Sequence, residues 1–250
     1  MARPTFVLTA AEEQSRDYVM VPVDSHVFTL PMGFDPTQMS RSSHGRCLMV
    51  KKITRGGIMA SNTRIPQAEL TGPYGALVKR MSRKMFGEVP EPVGVTWHHR
   101  KVLNFSFGVG RKAQKWDRCD ENLKSFAHMA TASLIGCSFC LDFGYFHAHN
   151  EGLDVNKARE VPRWRVSDVF TPLERDVMEY AEAMTETPPT VTDEQSARLL
   201  KALGPAGLVE LTAFIALANF MARSNVAMGI ESQGFSAACD LKPLALTSSE

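Results

Sequence analysis

The sequence has almost no excess of either charge. Its 28 Lys and Arg residues are balanced by 27 Asp and Glu residues, which leaves a formal net charge of +1. A protein that binds nucleic acid or an anionic membrane through electrostatics usually has a clear excess of Lys and Arg. The balance therefore gives no reason to expect a nucleic acid or a membrane surface as a partner.

The sequence also lacks a long apolar run. No stretch approaches the roughly 18 consecutive apolar residues that a membrane-spanning helix needs, and no basic region followed by an apolar stretch opens the chain. Apolar residues make up 44% of the 250 residues and charged residues 22%, as in an ordinary globular protein with one sizeable core. We therefore expect a soluble protein located in the cytoplasm.

Cysteines are too few and too scattered for a framework of structural disulfides. There are five, and only Cys137 and Cys140 lie close together, as a C-x-x-C motif. Such a pair is typical of a redox dithiol in a reducing compartment, of half a zinc site, or of two small buried side chains. Zinc would need two more ligands, and no second C-x-x-C or H-x₃₋₅-H motif supplies them. We favour the dithiol and predict no metal and no other cofactor.

No segment has a convincing β-strand pattern, and helical patterns predominate from Pro73 onward. We predict an all-α, bundle-like domain over residues 59–235. Residues 1–58, which proline and glycine interrupt repeatedly, are predicted to be an irregular or disordered extension, and residues 236–250 a loose tail. Capping residues mark three helix starts: Asp117 or Asp120 for the first, Thr171 for the second and Thr192 for the third. Glycines mark three helix ends, at Gly136, Gly204 and Gly229.

The C-x-x-C motif follows Gly136 and opens a predicted helix. Free N–H groups and the positive end of the helix dipole favour thiolate over thiol at that place. The spacing of three residues puts both sulfurs on one helix face, close enough to exchange with each other. Cys137 and Cys140 therefore have the arrangement of a redox-active pair.

Residues 123–153, with Cys137-Ser-Phe-Cys140 between two helices and a following Glu-Gly-Leu, resemble the carboxymuconolactone decarboxylase family. The alkyl hydroperoxidase D-like branch is the most similar, and the resemblance extends from about Tyr74 to Phe235. It implies an all-α fold, assembly into homo-oligomers (trimers or hexamers), and use of the cysteine pair for peroxide reduction or disulfide exchange. The resemblance also implies that the second cysteine, here Cys140, attacks the substrate and that Cys137 resolves the product.

Two positions depart from the pattern of that branch. Its motif has a glutamate twelve residues before the first cysteine and a histidine four residues after the second, where this chain has Ser125 and Gly144. In the family those two side chains relay a proton to and from the thiol, which serine and glycine cannot do at neutral pH. His128, three residues after Ser125, is the candidate substitute. His147 is about 10 Å of helix rise from Cys140, too far for a direct hydrogen bond.

Arg223 and Asn219 form an i, i+4 pair on an otherwise apolar helix. They are candidates for substrate binding, as a contact to an anionic group. The alternative is a hydrogen-bond network that holds helices or subunits together.

The sequence therefore predicts a cysteine-pair oxidoreductase in which Cys137, Cys140 and His128 are catalytic. Its partners would be a small peroxide or disulfide substrate, a protein or small-thiol reductant, and further copies of the chain. One alternative is a non-catalytic helical oligomer or ligand-binding protein derived from the same family. The other is a lactone decarboxylase, for which only His128 and Arg223 offer a proton donor and an anion site.

Overall fold

The computed structural model describes residues 62–245. This part of the chain contains no β-strand and lies within one compact unit, so the predicted all-α fold is confirmed. The predicted extension, residues 1–58, lies outside the described residues. The described helices are α1 (Gly72–Phe86), α2 (Glu91–Thr96), α3 (Arg100–Ala113), α4 (Glu121–Ile135), α5 (Ser138–Asn150), α6 (Val155–Glu160), α7 (Pro172–Thr185), α8 (Asp193–Met228) and α9 (Phe235–Ala238), with 3₁₀ turns at Trp97–His99 and Val161–Arg163.

Helix α4 is the centre of the bundle and packs against α5, α7 and α8. Its apolar side chains recur at three and four residues, and Phe126, Ala127 and Ala130 are fully buried. Phe126 meets Phe170 edge to face, with ring centroids 5.7 Å apart. Because α5 follows α4 after a single tight turn, the cysteine motif is built directly onto this core.

The capping signals in the sequence correctly locate three helix starts. The Asp120 carboxylate accepts hydrogen bonds from the first backbone N–H groups of α4. Thr171 and Thr192 begin α7 and α8 with complete capping boxes, and a cap of this kind stabilises a helix by about 1 kcal/mol. Gly136 ends α4 with a φ of 76°, a left-handed conformation that glycine adopts without strain.

Helix α8 contains the break that the sequence predicts. Gly204 has a φ of 70° and a ψ of 173°, and Pro205 follows it, so the two predicted helices form one run with a kink between them. By length and composition alone α8 could cross a membrane. In this structure Leu211, Ile215 and Ala222 are buried, and the helix packs against α4 and α7.

The prediction of a loose tail is wrong for residues 236–245. The N–H of Ala245 donates to the carbonyl of Arg159 at 3.0 Å, and Nε of Arg159 donates to the carbonyl of Pro243 at 2.7 Å. Leu241 and Leu244 pack against the main core. The segment is held by irregular backbone contacts and two apolar side chains, which leave no periodic signal in the sequence.

The apolar stripe of α1 faces outward instead of into the core of its own chain. Tyr74, Leu77, Met81 and Met85 are all exposed, and only Gly75 and Ser82 of this helix are buried. Helix α3 likewise leaves Val102, Phe105 and Phe107 exposed. These two helices therefore present large apolar faces to the outside of the chain.

Candidate functional site

The cysteine motif begins at the N-terminus of α5. Cys137 is the residue that caps the helix, and its sulfur accepts a hydrogen bond of 3.2 Å from the backbone N–H of Cys140. The two Cα atoms are 5.3 Å apart, and the two sulfurs form a disulfide bond. The spacing of three residues thus brings the two sulfurs together at the helix N-terminus, where a thiolate is favoured once the bond is reduced.

Both cysteines are buried within the chain. Cys137 is 0% exposed and Cys140 is 3% exposed, among apolar side chains that include Phe146, Ile230 and Phe235. Water reaches neither sulfur freely in this conformation. A substrate or reductant must therefore enter through the protein or after a local opening of the fold.

Asn225 of α8 is a polar neighbour of the pair that sequence reasoning missed. Its Nδ2 donates to the sulfur of Cys140 at 3.4 Å, and the side chain is buried. A hydrogen bond of this kind is stronger to a thiolate than to a thiol and so favours the charged form. The sequence signal was an asparagine just after Arg223 on a largely apolar helix, but its partner is 85 residues away along the chain.

His128 of α4 contacts the cysteine motif through the backbone. Its Nε2 lies 3.4 Å from the carbonyl oxygen of Cys140, and donation to that oxygen leaves Nδ1 as a free acceptor. Burial lowers the pKa of His128 to about 4; the hydrogen bond to Cys140 opposes this shift, and nearby His147 adds to it. His128 is therefore neutral at pH 7.

The ring of His128 lies over Gly144, the position at which the branch has its histidine. A Cβ atom at residue 144 would lie 3.3 Å from Cδ2 of His128 and 2.9 Å from Cγ of Met129. Any side chain at this position would need its neighbours to move. The position of the His128 ring therefore depends on the absence of a side chain at Gly144.

Ser125, His128, Gly144 and His147 line one cavity of about 170 Å³. The two positions that depart from the branch pattern thus lie at the same place as both histidines. Burial also lowers the pKa of His147. The two sulfurs do not line the cavity; His128 connects the cavity with the cysteine motif, because its ring borders the cavity and contacts the carbonyl of Cys140.

Asp142 of α5 holds the C-terminal segment across the cysteine helix. Its two carboxylate oxygens accept four hydrogen bonds of 2.6 to 2.8 Å, from the hydroxyl of Ser232, the N–H of Phe235, and both the N–H and the hydroxyl of Ser236. The fully buried Phe235 packs against Phe139, with ring centroids 5.9 Å apart. Phe235 and Ile230 belong to the same buried apolar cluster as Cys137 and Cys140. The Asp142 carboxylate thus accepts the first backbone N–H groups of α9.

Asn219 and Arg223 join α8 to the end of α7. Nδ2 of Asn219 donates to the hydroxyl of Thr185 at 2.9 Å, and Nε of Arg223 donates to Oδ1 of Asn219 at 3.2 Å. Arg223 also donates to the carbonyl of Thr185. Neither residue lines the cavity beside His128. A role in substrate binding remains a prediction.

Cys119 lies outside the motif and is buried. Burial, with a contribution from nearby Glu210, raises the pKa of the Cys119 thiol to about 11, so this cysteine is a poor nucleophile. Over residues 62–245, no group of three or more His, Cys, Asp or Glu side chains is placed to hold a metal ion.

Comparisons with known proteins identify a family and a relative that this chain resembles. The profile of the Carboxymuconolactone decarboxylase family matches residues 100–183. Over 157 residues the chain is 36% identical to the uncharacterized protein YnjA of Escherichia coli (strain K12), an alignment that covers 62% of this chain and 85% of YnjA.

Two solved structures show the same fold at low sequence identity. One is a cysteine-to-alanine variant of the debrominase Bmp8 in complex with 2,3,4-tribromopyrrole, with a TM-score of 0.61 and 19% identity over 71% of this chain and 98% of that chain. The other is the alkylhydroperoxidase D core of an uncharacterized peroxidase-related protein from Ralstonia eutropha JMP134, with a TM-score of 0.60 and 15% identity over 70% of this chain and 94% of that chain. With its helical fold and its Cys137–Cys140 pair, the chain belongs to the carboxymuconolactone decarboxylase family.

Proposed function

We propose that the protein is a cysteine-pair oxidoreductase that reduces a peroxide or exchanges with a disulfide. The observation that carries the proposal is the Cys137–Cys140 bridge at the N-terminus of α5, with the amide of Asn225 donating to the Cys140 sulfur. A backbone N–H directed at Cys137 and a side-chain amide directed at Cys140 both favour thiolates after reduction.

The peroxide reaction balances as a two-electron transfer from the dithiol. The thiolate of Cys140 attacks one peroxide oxygen, so that an S–O bond forms, the O–O bond breaks and an alcohol leaves with one proton. Cys137 then attacks the sulfenic sulfur, the S–S bond forms, and water leaves with the second proton. A protein dithiol or small thiol in the cytoplasm restores the pair by thiol–disulfide exchange and is itself oxidised.

His128 is the proposed proton carrier in this sequence. Its ring is neutral at pH 7 because burial lowers its pKa to about 4, and Nε2 is bonded to the carbonyl of Cys140. A ring with so low a pKa holds a proton only transiently, so we propose that it passes a thiol proton on to the departing oxygen. It takes the role that Ser125 and Gly144 cannot fill. His147 borders the same cavity.

The proposal is tested by oxidation of the reduced protein with tert-butyl hydroperoxide and with a small disulfide. Turnover with a dithiol reductant is expected in the wild type and is expected to be lost in Cys137→Ser and in Cys140→Ser. Cys119→Ser is the matched control, because that buried thiol has a raised pKa and should not contribute. Turnover that survives loss of either motif cysteine contradicts the mechanism.

A second candidate is a helical binding protein without redox turnover. The near-complete burial of both sulfurs favours it, because a buried disulfide can be purely structural. In that case neither oxidant would change the oxidation state of the reduced pair within the time of the assay.

We also propose that the chain forms a homo-oligomer, as trimers or hexamers. The outward apolar stripes of α1 and α3 support this, because soluble chains rarely leave such extended faces exposed.

A further inference from the structure

We infer that the cavity beside His128 is a binding site for a small neutral molecule with one aromatic ring and one hydrogen-bonding group, the class to which phenol belongs. The cavity lies among α3, α4, α5 and α8. That the bound molecule is a substrate rests on the function proposed above. That the cavity binds such a molecule does not depend on that function.

The size of the cavity sets the size of the ligand. Its volume is about 170 Å³, and an engineered apolar cavity of about 150 Å³ in another protein binds benzene. A single ring with one small substituent therefore fills it. Much of the wall is apolar and includes Phe143, Phe214, Leu217 and Met221, while Gln114 and Glu121 are exposed at its edge.

One polar atom on the cavity wall has no partner within the described chain. Oγ of Ser125 is buried and makes no hydrogen bond, although Ser125 lines the cavity beside His128 and His147. A buried hydroxyl without a partner destabilises a fold. A rotation of the Ser125 side chain about χ1 would turn this hydroxyl toward the cavity, where a ligand hydroxyl would pair with it and lie close to the neutral ring of His128.

The charges around the cavity favour a neutral ligand. Among the described residues that line the cavity, Lys124 carries the positive charge. Its side chain is 1% exposed, and all three of its N–H groups make hydrogen bonds within the chain. Nζ donates to the carbonyl of Trp116 at 2.8 Å, to Glu210 at 3.0 Å and to Glu121 at 2.7 Å.

The histidines add no positive charge. The pKa of His128 is lowered to about 4 and that of His147 is lowered as well, in both cases chiefly by burial. An anionic ligand would find no free cation here. The site is therefore poorly suited to the anionic lactone that a lactone decarboxylase would need.

The test uses the full chain with Cys137→Ser and Cys140→Ser together, so that binding is measured without thiol chemistry. Titration calorimetry or NMR shifts are recorded with phenol, benzene and benzoate. Phenol should bind roughly tenfold more tightly than benzene, the factor for one net hydrogen bond, and benzoate should not bind measurably. Benzoate binding as tight as phenol, or no binding of any probe at millimolar concentration, would overturn the inference.

Two hydroxyl deletions make a matched pair for the polar contact. Ser125→Ala should abolish the preference for phenol over benzene. Thr131→Val should leave it unchanged, because Thr131 carries the other buried unpartnered hydroxyl of the described chain but does not line the cavity. An unchanged preference in Ser125→Ala would show that the hydroxyl does not contact the ligand. Failure of peroxide turnover in the wild type would leave these binding results intact.

Discussion

At the scale of single residues, the site has its histidine on α4 where the branch has one on α5. A histidine on α5 is absent at Gly144, and the ring of His128 on α4 lies over that glycine instead. The pattern around Cys137 and Cys140 was sufficient to predict the pair, whereas the catalytic role of His128 stays a prediction. Asn225 and Asp142 escaped prediction as site residues because their partners are more than 80 residues away in sequence.

The contact between His128 and Gly144 predicts that substitutions at these two positions will partly compensate for each other. Gly144→His alone should destabilise the fold by about 1–3 kcal/mol through overpacking against Met129 and His128. His128→Gly alone should lower peroxide turnover by 10²-fold or more. The double variant should recover part of the turnover and only the part of the stability that is lost to overlap with His128, because Met129 stays in place; urea unfolding and a coupled peroxide assay measure the two. Strictly additive losses in the double variant would show that the two positions are independent.

The lowered pKa of His128 predicts how stability depends on pH. The unfolded chain binds a proton on this ring below about pH 6.5, whereas the folded chain does so only near pH 4. Stability is therefore complete above pH 6.5 and falls as the pH drops toward 4. The loss attributable to His128 at pH 5 is on the order of 1–2 kcal/mol. Urea unfolding at pH 5 and 7 should show a smaller difference in His128→Gln than in the wild type, and an equal difference would contradict this assignment.

At the scale of elements, the sequence locates helices where a local motif specifies them. Asp120, Thr171 and Thr192 begin their helices as predicted, because a cap and its N–H partners lie within three residues of each other. The short helix α6 and the ordered residues 236–245 were missed. Their stability comes from tertiary contacts, such as the hydrogen bond from Ala245 to Arg159, and no local pattern reports those contacts.

The anchoring of α9 predicts that Asp142 controls access to the disulfide. Asp142→Ala removes four hydrogen bonds from residues 232–236 and should destabilise the fold by about 2–4 kcal/mol. Because Phe235 of the released segment packs in the apolar cluster around the pair, dithiothreitol should reduce the Cys137–Cys140 bond at least tenfold faster.

A matched control separates access from general stability. Asp154→Ala removes the cap of α6, where the Asp154 carboxylate accepts the N–H of Lys157 at 3.0 Å. It should lower stability by about 1 kcal/mol without changing the reduction rate. Equal acceleration in both variants would mean that reduction follows global unfolding.

At the scale of the whole molecule, helical periodicity predicts the fold class but not which faces are covered. The α1 stripe has the spacing of a core-facing helix, yet Leu77 and Met81 are exposed in the single chain. A contact with another copy of the chain would produce the same apolar pattern as a contact within the chain. Sequence periodicity cannot distinguish these two cases.

The proposed oligomer predicts the effect of a charge on the α3 face. Phe105 is 61% exposed and its ring packs edge to face on Phe220 at 6.0 Å. Phe105→Glu should shift the solution mass from an oligomer toward the monomer, as measured by light scattering after size exclusion. Lys115→Glu, at an exposed position just after α3, should not change the mass. A monomeric wild type would contradict the proposal directly.

The most direct test of the central claim follows the oxidation state of each thiol by mass spectrometry. Reduced wild type and His128→Ala are exposed to tert-butyl hydroperoxide and then alkylated, with Cys119 as the internal control. We expect rapid formation of the Cys137–Cys140 disulfide in the wild type, slower formation in His128→Ala, and an unmodified Cys119 in both. If both motif thiols stay reduced in the wild type, or are oxidised no faster than Cys119, the protein is not a cysteine-pair oxidoreductase.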